Sequence, residues 1–526
     1  MNATLYDQIP YTKNIYRRTH PHNLATIAYL HGLKPVSVEQ CRVLELGCAS
    51  GINTIAMALT TPNSEFIGID ASANQIAEGN ENIQRLDLNN IQLKAIDMMR
   101  IDHTLGKFDY IIAHGVYSWV DETARNTLLQ ICRDHLQPEG IAYVSYNVYP
   151  GWHQNHALRT ILRYHTRDLS DPKAQLDSAK QCIHLLNQTL VSHYDAHSLT
   201  LKKLLQRIDN LGDHYLFHEY LEPNNHPVYF HEFVAHAEQY GLQYISDTDL
   251  TFALPSYFPQ DVLTQFAPTL MEQEQYLDFL RHNSFRESLL CHQAVPIKRS
   301  RQHIEKLYVA ANIKANSTTV SLDEGILEEF SDLSKGEKRM ALAISSPTLK
   351  AICVCLSEHW PQNLAFETLI SMAYQRLGID NITPAQLPEI ILDDIKILLL
   401  DLHLKNIVEF STLPSQFTMQ VSEKPLACPL ARLQSLSSED VYNVRYEKLS
   451  LNFLERYLLP LLNGKNDEQT LLDIMLAGVG KGELILSQGE REQNITTVTQ
   501  NEQKEVLLQQ IRSILHVLAQ RAYLIA

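Results

Sequence analysis

The chain has 526 residues, 45% of them hydrophobic and 20% charged, which allows about three domains of ~150 residues each. Its formal net charge of −16 predicts a surface that repels nucleic acid, and its eight cysteines include no CxxC motif, which indicates reduced thiols in a core. No stretch reaches the ~18 apolar residues of a membrane span, and the start lacks the features of a signal peptide. These observations predict a cytoplasmic protein with no nucleic-acid partner and no membrane span.

Two features precede the first predicted strand. Tyr6 and Tyr11 flank an Ile-Pro pair. They either form an aromatic lid over a bound ligand or pack the following helix against the core. Thr19 is predicted to N-cap that helix, which has proline near its start and ends near Leu33.

The first strand and the loop after it predict a ligand site. Val43 to Leu46 is a short apolar run, and Gly47 and Gly51 follow it before a helical stretch that starts at Thr54. This order brings backbone close to a ligand at the carboxyl edge of a sheet. Glu45 selects the ligand, because a carboxylate ahead of the turn repels phosphates and suits a cationic amino-acid tail and free ribose hydroxyls. The motif resembles the first motif of class I S-adenosylmethionine-dependent methyltransferases.

Four more strands are predicted in the next hundred residues. Asp70 ends the second strand about 20 residues after the first glycine, the spacing at which such folds place an acid on ribose hydroxyls. Asp97 follows the third strand, His114 follows the fourth, and the fifth runs from Ile141 to Tyr146. Agreement at five strand ends favours a Rossmann-like methyltransferase domain over a chance arrangement of acids.

The resemblance implies S-adenosyl-L-methionine as the cofactor. Asp70 would hold the ribose, Asp97 and Met98 the adenine, and the segment that starts at His114 the methionine end. Cys48 would be a small filler in the loop and not a nucleophile. The implied cofactor-binding residues are Glu45, Gly47, Cys48, Ala49, Gly51, Asn53, Asp70, Ala71, Asp97, Met98, His114, Gly115 and Val116.

The substrate side is predicted at the end of the fifth strand. A methyl-transfer site holds its nucleophile in line with the sulfonium carbon, ~3 Å away, and excludes water. Aromatic walls lower the pKa of an ammonium by desolvation and hold the cation by cation–π contact. These aromatic residues are alternatively core anchors. The catalytic candidates are Tyr117, Trp119, Tyr146, Asn147, Tyr149 and Trp152, with Tyr6 and Tyr11; of these, Tyr6, Tyr11 or Asn147 would accept hydrogen bonds from the amine.

Three further segments point to a narrower family. The Tyr-Asp-x-x-Pro-Tyr start, Thr-His-Pro at 19–21 and Asn-Val-Tyr-Pro-Gly-Trp at 147–152 resemble a bacterial methyltransferase family that carries a methyltransferase regulatory domain. Residues 213–247 resemble the core of that regulatory domain. Known members include rickettsial protein-lysine methyltransferases that act on outer membrane protein B. The resemblance implies methyl transfer to lysine of a protein substrate, such as an outer-membrane or surface protein before export.

Two other functions are compatible with the sequence. A small-molecule methyltransferase is one alternative, although small substrates need no large accessory half. A non-catalytic scaffold with a cofactor fold is another, although it has no use for an intact loop. The Asn/Asp-Pro-Pro-aromatic signature of nucleic-acid amino methyltransferases is absent after the fourth strand, which argues against base methylation. The oligomeric state is undetermined, with a homodimer among the options.

The sequence predicts an α/β fold with four domains. A Rossmann-like, seven-stranded type of methyltransferase domain spans 1–167, the regulatory domain 168–297, a helical and winged-helix-like domain 298–420 and a C-terminal helical module 421–526. Prolines and alternating apolar residues after 213 predict an extended strap. His231 and His236 are five residues apart, so a helix would point them in different directions, and no metal is assigned.

Overall fold

The computed structural model describes residues 9, 13–209, 212–250, 265–298, 301–333, 341–484 and 500–526. Tyr6 and Tyr11 lie outside these residues. The chain divides into two compact units, residues 1–304 with 399–406 and residues 305–398 with 407–526. Within the described residues, no helix combines the length and the apolar character needed to cross a bilayer.

The elements up to residue 298 alternate between strands and helices and then become mostly helical. In chain order they are α1 (Pro21–Leu30), β1 (Arg42–Leu46), α2 (Ile52–Thr60), β2 (Glu65–Asp70), α3 (Ala73–Arg85), β3 (Ile91–Ala95), β4 (Phe108–Ala113), α4 (Glu122–His135), β5 (Leu136–Asn147), α5 (Gly151–His165), α6 (Pro172–Leu190), α7 (Ala196–Asp209), α8 (Asp213–Tyr220), α9 (Phe230–Gln239), β6 (Leu242–Asp247), α10 (Leu270–Arg281) and β7 (Phe285–His292).

The elements after residue 300 form smaller sheets and helices. They are β8 (Tyr308–Ala311), β9 (Ile313–Ala315), β10 (Glu328–Asp332), β11 (Ala341–Ile344), α11 (Pro347–His359), β12 (Leu364–Ala365), α12 (Phe366–Arg376), α13 (Glu389–Leu404), β13 (Val408–Ser411), α14 (Pro429–Gln434), β14 (Asp440–Tyr442), β15 (Lys448–Ser450), α15 (Phe453–Leu458), α16 (Glu468–Gly480) and α17 (Gln500–Gln520). The sheets have the orders β11-β10-β9, β12-β8-β13 and β14-β15.

One seven-stranded sheet organises the first unit and confirms the α/β, Rossmann-like prediction. Its order is β3-β2-β1-β4-β5-β7-β6, and β1 to β5 are parallel while β7 runs antiparallel to both of its neighbours. The last two strands come from residues after 167. The segment expected as a separate regulatory domain therefore completes the sheet, because β7 pairs along the free edge of β5.

The structure corrects three expected element boundaries. His20, and not Thr19, caps α1, because its Nδ1 accepts from the backbone of His22 while Pro21 takes the first helical position. Residues 213–220 form α8 instead of an extended strap. Strand β5 starts at Leu136 and ends at Asn147, longer than expected, because Leu136 already pairs with Phe108 of β4 before the register shifts.

A buried cation lies where β7 meets α10. Arg286 is fully buried; its Nε lies 2.8 Å from Asp278 Oδ2, its second terminal nitrogen lies 3.0 Å from Glu274 Oε2, and its guanidinium lies 4.1 Å from the ring centre of Phe230. Burying these charges is tolerable only because they are paired. The cluster fastens the last strands of the sheet to the regulatory helices α9 and α10.

We predict that Asp278→Ala lowers the free energy of unfolding by about 3–5 kcal/mol, because the buried guanidinium loses its bidentate partner. Urea denaturation followed by tryptophan fluorescence would measure this, since Trp119 and Trp152 are buried in the first unit. The control is Asp134→Ala at the partly exposed pair with Arg133, where the change should stay below about 1 kcal/mol. Equal effects of the two variants would contradict the structural role of the cluster.

Candidate active site

The loop after β1 has the backbone of a ligand-binding turn. Gly47, Ala49 and Gly51 all have positive φ, at 68°, 52° and 67°. A Cβ at Gly47 would lie 2.6 Å from Val116 Cγ2, and one at Gly51 would lie 2.5 Å from Leu93 Cδ1. Both positions therefore require glycine for conformation and for space. The loop is held between β3 and the segment after β4.

Glu45 is buried directly below this loop. Its Oε1 accepts from Asn53 Nδ2 at 2.9 Å, and its Oε2 accepts from the Thr54 hydroxyl. Burial raises the pKa of Glu45 to about 7, an effect that the two hydrogen bonds oppose and the charge of Asp70 reinforces. A cationic ligand is favoured here, because it would stabilise the ionised form of this buried carboxylate.

Asn53 connects the loop to the N-terminal segment. Besides Glu45, its Nδ2 donates to Thr19 Oγ1 at 2.9 Å, and its Oδ1 accepts from the backbone of Tyr16 at 2.9 Å. Both amide hydrogens are thus used within the protein. Asn53 holds residues 16–19 against α2, and the cofactor contact that the resemblance implied for it stays a prediction.

Asp70 braces the loop from the end of β2. Its Oδ2 accepts from the backbone of Ala49 at 2.9 Å and its Oδ1 from the backbone of Ser72 at 2.8 Å. The residue is half-buried, and carboxylate oxygens are acceptors of the kind that ribose hydroxyls require. Ala71 beside it is exposed, and Cys48 is buried against Gly68, which fits its predicted role as a filler.

The strands β3 and β4 bring further predicted residues to the same edge. Asp97 is exposed and accepts from the backbone of Met99 at 3.0 Å, while Met98 is half-buried against the core. Gly115 has φ 66° with open space where a side chain would lie, and its N–H donates to Ser145 Oγ at 2.7 Å. Val116 packs on the loop glycine.

Four aromatic candidates for the substrate side are core anchors instead. Tyr117, Tyr146 and Trp152 are at most 3% exposed and Trp119 is 9% exposed. The hydroxyl of Tyr117 pairs with His236 Nδ1 at 2.8 Å, and that of Tyr146 pairs with Ser288 Oγ at 2.8 Å while its ring stacks on Phe233. Tyr117 and Tyr146 pack against the regulatory helix α9, and all four side chains are buried, so the structure does not bring them to the site.

Asn147 and Tyr149 do remain at the carboxyl end of β5. Asn147 is 5% exposed and its Nδ2 donates to Asn225 Oδ1 at 3.1 Å. Tyr149 is half-buried and stacks on His153, with ring centres 4.2 Å apart, and Tyr229 lies 5.3 Å away.

Four residues near the site were not predicted. The ring of Tyr16 lies on His114, with centres 3.8 Å apart, and Phe285 lies 6.1 Å away and pairs with Asn147 across the sheet. Tyr143 and Glu287 approach His114 from β5 and β7. Glu287 could have been identified from the sequence, because an acidic residue within a buried strand requires a buried partner.

The two histidines of α9 serve as structural links. His236 pairs with Tyr117 and, through Nε2, with Asn126 Oδ1 at 2.8 Å, and His231 Nδ1 lies 2.9 Å from Gln275 Oε1. This confirms the expected hydrogen-bonded histidines that contact the catalytic domain. Within the described ranges, no group of three or more His, Cys, Asp or Glu could hold a metal ion.

The donor set fits S-adenosylmethionine. Glu45 supplies buried negative charge for a cationic ligand, Asp70 supplies acceptors for hydroxyls, and the glycine turn gives the backbone close access. Three family models match successive parts of the chain: a methyltransferase domain over residues 37–203, a predicted methyltransferase regulatory domain over 212–292 and the C-terminal winged-helix domain of PKMT over 423–523.

The winged-helix match falls in the region expected to be a C-terminal helical module, whereas the sequence placed such a fold in 298–420. Helices alternating with short strands, the pattern behind that expectation, occur in both regions.

Relatives from Rickettsia place the chain in its family. Uncharacterized protein RP789 of Rickettsia prowazekii is 32% identical over 500 residues, which cover 93% of this chain and 89% of that protein. Uncharacterized protein RP028 of the same organism is 34% identical over 238 residues, 45% of this chain and 95% of that protein. PKMT2 from Rickettsia typhi, solved in complex with AdoHcy, matches with a TM-score of 0.85 and 26% identity over 98% of this chain and 100% of that chain.

The fold and the glycine loop define a class I methyltransferase. This chain belongs to the bacterial family of S-adenosylmethionine-dependent methyltransferases that carry a methyltransferase regulatory domain.

The pKa of Glu45 predicts a pH-dependent cofactor affinity. Between pH 6 and 7, where the cofactor amine stays mostly protonated, the ionised fraction of Glu45 rises, so the affinity for S-adenosylmethionine should increase by roughly fivefold. Calorimetry at several pH values would measure it. In Glu45→Gln the affinity should be lower and nearly independent of pH over this range; an unchanged slope in that variant would exclude Glu45 as the group responsible.

Asp70→Ala should weaken S-adenosylmethionine binding by at least tenfold, because each hydrogen bond to a charged acceptor contributes about 1.5–3 kcal/mol and the loop also loses its brace. The matched control is Asp168→Ala, whose side chain is 83% exposed, and it should bind normally. Wild-type affinity in Asp70→Ala would remove this residue from the site.

Proposed function

We propose that this enzyme transfers methyl groups from S-adenosylmethionine to lysine side chains of a protein substrate. The observation that carries the proposal is the likeness to PKMT2 of Rickettsia typhi, which extends over 98% of this chain and includes the accessory domains. A match confined to the catalytic sheet would support only methyl transfer in general. Accessory domains of this size suit a macromolecular substrate.

The carboxyl edge of the sheet supports the chemistry. Tyr16, Phe285 and Tyr149 are only partly buried and lie around or beyond the ends of β4 and β5. Aromatic walls of this kind favour the neutral amine by desolvation and accommodate the methylated ammonium by cation–π contact. We assign cofactor binding to the edge formed by Gly47, Gly51 and the neighbouring acids, and the amine to the β4–β5 side.

The proposal predicts transfer of label to protein. The enzyme is incubated with a bacterial lysate and S-adenosylmethionine labelled on the methyl group, and proteins are separated by gel. Labelled bands should appear, and acid hydrolysis should yield methyllysine. Asp70→Ala should reduce the labelling strongly because it binds the cofactor poorly.

Two results would contradict the proposal. Label found only in the small-molecule fraction would favour a small substrate. Labelled protein whose hydrolysate contains methylated residues other than lysine would retain a protein methyltransferase and remove the assignment to lysine.

The setting of the reaction is also part of the proposal. We infer that the enzyme works in the cytoplasm on an outer-membrane or surface protein before export, as the family resemblance implies. A homodimer is supported by the exposed apolar side chains between residues 164 and 199. Tyr164, Leu185, Val191 and Tyr194 are 58–74% exposed. A second copy would cover them.

We predict that the protein runs as a dimer in light scattering coupled to gel filtration, and that Val191→Glu with Tyr194→Glu shifts it toward a monomer by placing charge in the apolar contact. A wild-type monomer at high concentration would refute the dimer.

A further inference from the structure

A chain of hydrogen bonds links the regulatory strand β7 to His114. The hydroxyl of Tyr143 donates to Glu287 Oε1 at 2.7 Å, and this tyrosine hydroxyl oxygen lies 2.8 Å from His114 Nδ1. Arg18 donates to the other carboxylate oxygen of Glu287 at 2.8 Å and so forms an ion pair with this residue. Burial raises the pKa of Tyr143 well above its usual value, so the phenol keeps its proton.

This chain determines which nitrogen of His114 carries hydrogen. A phenol has one proton and a carboxylate has none, so the Tyr143 proton is committed to Glu287. Nδ1 of His114 must then be the donor to the Tyr143 oxygen. In a neutral imidazole, Nε2 is left with a lone pair. Burial lowers the pKa of His114 to about 4, so the ring is neutral at pH 7.

The ring that carries this lone pair lies at the sheet edge to which we assigned the amine. His114 directly follows β4, at the carboxyl edge where ligands of such sheets bind, and its ring is only half-buried. Tyr16, Tyr143 and Phe285 surround the ring and fix its plane. Within the part of the chain that the structure describes, Nε2 has no hydrogen-bond partner.

We infer that Nε2 of His114 accepts a hydrogen bond from the amine that receives the methyl group, and that Tyr143 and Glu287 are positioning residues that fix the tautomer and the ring. This rests on the proposed lysine methylation and moves His114 from the cofactor set to the substrate. Accepting one N–H turns the nitrogen lone pair toward the methyl carbon. The amine forms the N–C bond as the C–S bond breaks with its electron pair left on sulfur, and the cationic nitrogen then releases its proton to solvent.

The matched test compares two tyrosines of β5. Tyr143→Phe and Tyr146→Phe each remove a buried hydroxyl that reaches β7, but only Tyr143 contacts His114. At saturating labelled S-adenosylmethionine, the initial rate of transfer into lysate protein should fall ~10- to 100-fold in Tyr143→Phe and stay within about threefold in Tyr146→Phe. Cofactor affinity by calorimetry should be unchanged in both. Equal losses of rate would overturn the assignment.

Substitution of His114 separates the two roles of this residue. His114→Ala should lower the saturated rate ~100-fold with normal cofactor affinity, and His114→Gln, whose carbonyl oxygen can replace Nε2 as acceptor, should recover part of the rate. Weaker cofactor binding with a normal saturated rate in His114→Ala would return His114 to the cofactor site and overturn the inference.

The tautomer has a readout independent of the substrate. Nitrogen-15 NMR of histidine-labelled protein should show an unprotonated Nε2 for the signal that disappears in His114→Gln, and Tyr143→Phe should change that signal. A protonated Nε2 in the wild type overturns the inference. If the wild type labels no protein although the tautomer is as expected, the proposed function fails and the substrate step with it, whereas the link from Glu287 to His114 stands.

Discussion

The antiparallel pairing of β7 with β5 joins the regulatory segment to the catalytic sheet. Six residue pairs, from Ala142 with Leu290 to Asn147 with Phe285, run along this edge. Because side chains alternate along a strand, each face of β5 receives a different set of partners. Tyr146 packs with Phe233 of α9, whereas Tyr143 reaches Glu287 and His114. The regulatory helix α9 is thus anchored on one face of the sheet, and the carboxylate of Glu287 lies on the opposite face, near His114.

The N-terminal segment connects the two ends of this arrangement. Asn53 holds it to the cofactor loop through the backbone of Tyr16 and the hydroxyl of Thr19, while Arg18 between them pairs with Glu287 of β7 and Asp249. Arg18 lies two residues after Tyr16, which Asn53 holds, and its ion pair is with Glu287 of the regulatory strand β7. This gives the regulatory segment a physical route to the site that needs no movement of a whole domain.

Local pattern was enough to predict the loop and the first five strands. An apolar run followed by two glycines and a helix is compatible with few backbone folds. Glu45 and Asp70 stand at positions that are defined relative to this loop. The rest depended on pairing between distant residues. Tyr143 and Glu287 are 144 residues apart, and no local pattern shows that they touch. Tyr117 was open to interpretation as a substrate contact or a core anchor, because the helix α9 that buries it lies more than 100 residues later in the chain.

Burial also sets the charges of Glu45 and His114 in the site. Glu45 is buried and its pKa is raised. Asn53 and Thr54 donate hydrogen bonds to its carboxylate, which favours the ionised form that binds a positive ligand. Toward the substrate, burial acts with the opposite sign on a base, since it keeps His114 neutral. A neutral acceptor does not repel an incoming cationic side chain. The sheet edge thus carries negative charge below the cofactor loop and an uncharged acceptor beside it, an order that suits transfer of a methyl group from a sulfonium to an amine.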